Sequence, residues 1–342
     1  MGGSMQRGTG GMSARVTRRP GILLLLAACA WLPAGRAAAQ SCTITPVSGS
    51  FGSIDVLPGT NIDSTATLSV SCTGTANNTV RLCIEMGRGA SAAGPSGERA
   101  LTNGANYLDF EFYSNSGRTL LWGSWGSVVT AYGGGGLTVD LPLGAGGSAT
   151  TNLTAYTRIF GSQTTKVPLT YSWNGSSPAT RYGYVTASAC PTGGATAVSS
   201  GSTLTATVST NANVSVSTLD FGSTSALSSN IDAAATITVQ ATNTTPYSIG
   251  LGNGANASGS QRRARKGATA NFVNYNLYTD SNRSAAWTTT TQTNSCSGGA
   301  GTCVLGTGTG SSQNTTVYGR VPPQAVPAAG TFTDTVVVTV TF

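Results

Sequence analysis

Few side chains in this 342-residue chain could do chemistry, and their types narrow the choice. There is no histidine, which excludes a Ser-His-Asp triad and argues against zinc. Asp109 and Glu111 stand two apart in a strand-like run and so share a face, where paired carboxylates could serve a glycosidase. A similar stretch further on carries Asn274 and Asn276 instead, so the scaffold does not need acids there. Gly133 to Gly136 reads as a flexible turn, because no helix start follows it to make a phosphate loop. Arg262-Arg263-Ala264-Arg265-Lys266 could hold an anionic polymer, but it reads as a solvated loop between strands. No catalytic, metal-binding or cofactor-binding residue is assigned, and the chain is expected not to be an enzyme.

The remaining reactive groups are cysteines, and the compartment decides what they do. Arg15, Arg18 and Arg19 precede an apolar run from Gly21 to Ala30, and Ala37-Ala38-Ala39 offers a small-residue cleavage site. Residues 1–39 therefore read as a secretory signal peptide, with processing as a lipoprotein at Cys29 left open. No later stretch is apolar enough to span a bilayer. Five basic residues leave with the signal, so 13 bases face 11 acids and the net charge falls from +7 to +2. The basicity belongs to targeting, and nothing in it argues for nucleic acid or for membrane insertion.

Six cysteines remain: Cys42, Cys72, Cys83, Cys190, Cys296 and Cys303. An even number in an exported chain implies disulfides. No Cys-x-x-Cys is present for thiol redox work.

Those residues are positioned by a pattern that occurs twice. Phe51-Gly52-Ser53 returns as Phe221-Gly222-Ser223, and Asn61-Ile62-Asp63 as Asn230-Ile231-Asp232. The run Asn106 to Tyr113 is answered by Asn271 to Tyr278, Trp122 by Trp287, and Tyr156-Thr157-Arg158-Ile159 by Tyr318-Gly319-Arg320-Val321. A period this long means two whole domains. Thr65 to Val70 and Ala235 to Val239 alternate strictly, and Thr335 to Phe342 is rich in β-branched residues. Gly, Asn and Ser clusters separate such runs, and no sustained helical period occurs. The expected fold is all-β, two immunoglobulin-like sandwiches, with domains at 40–190 and 204–342 and a Gly/Ser-rich linker at 191–203.

The repeat also sorts the cysteines. Cys42 aligns with Ala212 or Asn213 and Cys72 with Ala241, so both are missing together from the second copy. That is expected if Cys42 pairs with Cys72, which leaves Cys83 with Cys190. Cys296 and Cys303 would then close a short Gly-rich loop.

Val317-Tyr318-Gly319-Arg320-Val321-Pro322, the turn Pro327-Ala328-Ala329-Gly330-Thr331-Phe332-Thr333-Asp334 and the alternating end resemble the spore coat protein U domain. Leu219-Asp220-Phe221-Gly222 and Tyr275-Asn276-Leu277-Tyr278-Thr279-Asp280 extend the resemblance. Residues 41–190 look like a divergent copy. The family builds subunits of archaic (Csu-type) chaperone–usher pili, which implies an incomplete sandwich in the second domain, completed by strand addition. Implied partners are a periplasmic chaperone, an outer-membrane usher and a neighbouring pilin subunit. Val336, Val338, Val340 and Phe342 would form the C-terminal assembly strand.

The segment after the signal reaches Cys42 almost at once, leaving no room for a donor segment; the expectation is a tip subunit. Leu204, Ala206 and Val208 share one face of a donor-like segment that either completes the first domain or simply opens the second. Trp125, Val128, Val129 and Tyr132 either fill the sandwich core or form an adhesive surface, with Tyr171 and Trp173 as further candidates, against an apolar surface or another ligand. The competing readings are a non-fibrous secreted coat protein and a secreted carbohydrate-binding protein. Either way the destination is the periplasm and then the cell surface or medium.

Overall fold

The computed structural model describes residues 39–89, 98–125, 132–175, 178–184, 190, 195–288 and 303–342. The expected signal peptide, Val128, Val129 and Cys296 lie outside the described residues. Among those described, every named element is a strand, in two sandwiches of immunoglobulin-like type.

The first sandwich uses β1 (Ser41–Ile44), β2 (Ser48–Ile54), β3 (Ile62–Thr73), β4 (Thr79–Glu85), β5 (Arg99–Asn103), β6 (Asn106–Tyr113), β7 (Leu137–Pro142), β8 (Ser148–Ile159), β9 (Thr170–Gly175), β10 (Ala179–Tyr184), β11 (Ala195–Val198) and β12 (Ser202–Val208). One sheet has the order β11-β10-β4-β7. The other closes on itself, because β3 pairs with β8 on one side and with β1 and β2 on the other. Its ring runs β3-β2-β12-β9-β5-β6-β8 and back to β3. The alternation seen in the sequence explains the faces: Ala66, Leu68, Val70 and Cys72 of β3 are buried while Thr65, Thr67, Ser71 and Thr73 are exposed. Gly104, at φ 59°, begins the two-residue turn between the paired Asn103 and Asn106, a conformation glycine takes without strain.

β12 is held on both edges. It runs parallel to β2, with Leu204 opposite Gly49, and antiparallel to β9, with Leu204 opposite Trp173. Thr203 N donates to Val47 O, and Val208 N to Leu169 O. Leu204, Ala206 and Val208 are buried in the first core beside Trp173 and Tyr171. Burying the Leu and Val side chains stabilises the closed ring by roughly 1.5–3 kcal/mol each. The structure therefore differs from the expected domain edge: residues 202–208 belong to the first sheet, and 195–198 of the expected linker form β11.

Cys42 and Cys72, directly opposite on β1 and β3, are bonded, as are Cys83 of β4 and Cys190. Cys303 is half of a further disulfide.

The second sandwich comprises β13 (Ala212–Val216), β14 (Ile231–Ala241), β15 (Pro246–Leu251), β16 (Arg262–Arg265), β17 (Phe272–Tyr278), β18 (Val304–Thr307), β19 (Gln313–Val321) and β20 (Val338–Thr341). Its sheets run β13-β14-β19-β17-β16 and β18-β15-β20. Three residues, Ser209 to Asn211, separate β12 from β13. Side-chain amides fasten this joint: Asn211 Nδ2 donates to Asp55 Oδ2 at 2.6 Å, and Asn243 Nδ2 to Thr165 O at 2.7 Å.

Candidate functional site

The two sandwiches match at several side chains, which makes their differences legible. Trp122 and Trp287 are both fully buried, and their Nε1 groups donate to Ile84 O and Ile249 O. Asp63 holds Arg158 and Arg118 as Asp232 holds Arg320 and Arg283. The Arg158 hydrogen bond draws the Asp63 carboxyl below its usual range, and Arg320 does the same for Asp232. Gln163 brackets the backbone of Asp109 as Gln324 brackets that of Asn274.

The basic run contains a correction. Arg262 is buried, not part of a solvated loop, and donates to the carbonyls of Gly252, Leu251 and Trp287. Only partners of that kind make burial of a guanidinium tolerable. Arg263 and Arg265 sit against the Phe272 ring, at 4.1 and 5.8 Å from its centroid.

The difference lies where β12 sits. In the first sandwich the ring is closed through β2, β12 and β9. In the second, the bridge between Arg265 and Thr333 answers the pair Thr102 and Ser172, so residues 331–336 take the place of β9. Phe221-Gly222 answers Phe51-Gly52, so residues 218–224 take the place of β2. No described strand lies between them, and neither flank is itself a named strand. A groove of about 520 Å³ opens there, lined on one wall by Leu219 and Phe221, on the other by Phe332, Asp334 and Val336, with Ile237 among its core-facing residues. Apolar side chains line both walls, and no described strand fills the space between them. Val336, Val338 and Val340 are half-buried against this second core; Phe342 is 47% exposed and lies just past β20.

The first sandwich differs at the end where β12 begins. Trp173 Nε1 donates to Arg88 O, the Arg88 guanidinium lies over the Tyr132 ring, and Tyr132 N donates to Ser124 Oγ beside Trp125. Trp125 is 46% exposed at this end, opposite the joint where Val208 finishes. Tyr132 does not join it on the surface. It is buried, stacks on the Arg99 guanidinium at 4.0 Å and donates its hydroxyl to Glu111 Oε1. Tyr171 and Trp173 are likewise fully buried, because they form the wall against which β12 packs.

Glu111 is held in a buried ion pair. Its Oε2 lies 2.6 Å from Arg99, itself fully buried, and burial raises the Glu111 carboxyl while Arg99 opposes the shift. Burial pushes the Arg99 guanidinium down to about 10, with Glu111 working the other way. Asp109 is half-buried and raised by burial, then lowered by Lys166. The backbone of Asp109 is held by Gln163, and its Oδ1 is buried without a hydrogen-bond partner.

The groove walls and the paired arginines are what sequence reasoning missed. Arg99 and Arg262 stand 163 positions apart, in line with the other repeat pairs, so extending that alignment would have exposed them.

The fold and its site define a class: an all-β chain of two like sandwiches, one with its own strand β12 in the ring, the other with no strand at that position among the described residues. The chain belongs to the Spore Coat Protein U domain family, whose model matches residues 29–172 and again 196–339. The second match takes in β12, although in the structure that strand is paired in the first sheet. Among solved structures, the chain is similar to one in the CsuC–CsuE chaperone–tip adhesion subunit pre-assembly complex from archaic chaperone–usher Csu pili of Acinetobacter baumannii. The identity is 18% and the TM-score 0.52, over 88% of this chain and 100% of the other, which is a likeness of fold. The CupB6 tip adhesin of Pseudomonas aeruginosa matches at 10% identity and TM-score 0.30 over 89% and 94%, which carries no argument. No protein with a curated description matches the chain.

Proposed function

We propose that this chain is the tip subunit of a chaperone–usher pilus, with an adhesive first sandwich and an anchoring second one. The observation that carries the reading is the vacant strand position between residues 218–224 and 331–336, set beside β12 filling the same position in the first sandwich. A groove of this kind exposes backbone donors and acceptors that must be paired by another chain. A periplasmic chaperone fills it first; the extended segment of a neighbouring pilin replaces the chaperone at the outer-membrane usher. The pre-assembly complex of the Csu pilus is a chaperone–subunit pair, which supports the same partner here.

The first sandwich has no such vacancy and is free for another task. Trp125 would meet an apolar surface at the free end, away from the joint; Val128 and Val129, which follow it in the sequence, lie outside the described residues. Removing such area from water contributes roughly 25 cal/mol per Å². Attachment and biofilm growth follow from that contact, and export through the periplasm to the cell surface is implied.

Co-expression with a periplasmic chaperone of the same type tests the reading. The expected result is a soluble one-to-one complex and poor folding of the chain alone. A chain that folds stably as a monomer without chaperone would overturn it in favour of the coat or carbohydrate-binding readings. Gene deletion, scored for both fibre assembly and adhesion to plastic, separates anchoring from attachment.

A further inference from the structure

The two walls of the groove do not simply copy those around β12. In the first sandwich, Leu204 is flanked by Trp173 on β9 and Gly49 on β2. The corresponding positions in the second are Asp334 and Leu219, since Thr333 answers Ser172 and Phe221 answers Phe51. Bulk has moved from one wall to the other, and a carboxylate stands where an indole stood.

That carboxylate is held in place. Asp334 Oδ2 accepts from the Tyr275 hydroxyl at 2.7 Å, and Oδ1 accepts from Asn256 N and Nδ2, each at 3.1 Å. Burial, and then the bond to Asp334, push the Tyr275 phenol well above its usual range, so it remains a donor. Arg262 lies near enough for the Asp334 charge to favour the guanidinium. In the first sandwich the same arginine position is served by Glu111 on β6; in the second, Asn276 stands in that place and the nearby acid is on the groove wall.

Asp334 is only half-buried while the groove is open. A strand laid over it removes the carboxylate from water. Two oxygens offer about four acceptor positions, of which three are used. An aliphatic side chain above it would leave the last position unpaired, whereas a hydroxyl or amide would fill it. The stations two residues to either side face Phe332 and Val336, which are apolar.

We propose that Asp334 determines which strand the groove accepts: an extended segment of a partner chain bearing Ser, Thr or Asn opposite Asp334, with apolar residues two positions before and after. This rests on the reading of the groove as a strand acceptor and adds the chemistry of the occupant.

Two soluble synthetic heptapeptides test it, Val-Thr-Ser-Thr-Val-Thr-Val and Val-Thr-Leu-Thr-Val-Thr-Val, each flanked by lysines. They are titrated into the one-to-one complex of the full chain with its chaperone, and displacement of the chaperone is read by fluorescence anisotropy of labelled peptide. The serine peptide should bind about tenfold more tightly, as a hydrogen bond to a charged group implies. In Asp334→Leu the preference should reverse; in Asp334→Asn, which keeps an acceptor for Tyr275, it should shrink by most of that factor. Equal affinity of the two peptides for the native chain, or an unchanged preference in Asp334→Asn, would overturn the assignment. Failure of both peptides to bind would instead remove the strand-acceptor reading, and the proposal with it.

Discussion

Arg99 and Arg262 occupy one structural position in two sandwiches. Each reaches from its strand to three backbone carbonyls: those of Gly87, Met86 and Trp122 for Arg99, and of Gly252, Leu251 and Trp287 for Arg262. The guanidinium thereby ties the end of the β4 or β15 strand to the segment after the buried tryptophan, and it is needed in both copies whatever each copy does.

Their counter-charges differ, and that gives a first prediction. Glu111→Gln leaves Arg99 buried without its carboxylate and should cost about 3–5 kcal/mol. Chemical denaturation of the chain in its chaperone complex should show the loss in the transition of the first sandwich. A change under about 1 kcal/mol would mean that the three carbonyls suffice.

Leu204→Asp with Val208→Asp places two carboxylates in a dry core between β2 and β9. The first sandwich should lose its protease-resistant core. Leu204→Ala alone should cost about 2–5 kcal/mol. Survival of the core in the double variant would show that β12 does not hold the ring closed.

Acid should weaken both sandwiches. The folded pKa of Asp63 and of Asp232 is depressed, chiefly by hydrogen bonds from Arg158 and Arg320. Depressed carboxyls contribute stability that is present above their unfolded value, about 3.9, and lost as pH falls below it through the folded value. Thermal midpoints should therefore drop below about pH 4, and the drop should be smaller in Asp63→Asn with Asp232→Asn. An identical acid limb in that variant would assign the effect to other groups.

Replacing Cys42 and Cys72 together by serine opens a bond that spans 30 residues and should cost about 2–4 kcal/mol. Oxidised and reduced denaturation curves of the native chain, compared with this variant, isolate its share. The second copy carries Ala241 in the place of Cys72 and folds the corresponding β13–β14 pairing without the bond, so the fold itself should survive.

Much of this arrangement is written locally. Alternation in Thr65 to Val70 gave the face of β3, and the joint absence of two cysteines from the second copy singled out the pair that the structure bonds. Arg262 was not legible, because a buried arginine in a charged run looks like its exposed neighbours until its carbonyl partners are known. The inward facing of Tyr132 and Trp173 was not legible for the reverse reason: an aromatic among small and polar residues carries no mark of which side it faces. The role of Leu204 was legible as an alternating face but not as a place, since its partners Gly49 and Trp173 lie far off in the chain.

That distance has a consequence in time. Val47 and Ser202, hydrogen-bonded at 3.0 Å, are 155 residues apart, so the earliest strands of the first sandwich wait for nearly the last of its chain. A strand of such high contact order forms late. As the chain emerges from N-terminus to C-terminus, the first sandwich must remain unsealed until Val208 is available, and only three residues later the second sandwich begins. Sealing of the first sandwich and the start of the second are thus adjacent along the chain, and the growing chain presents two unsealed sandwiches in succession.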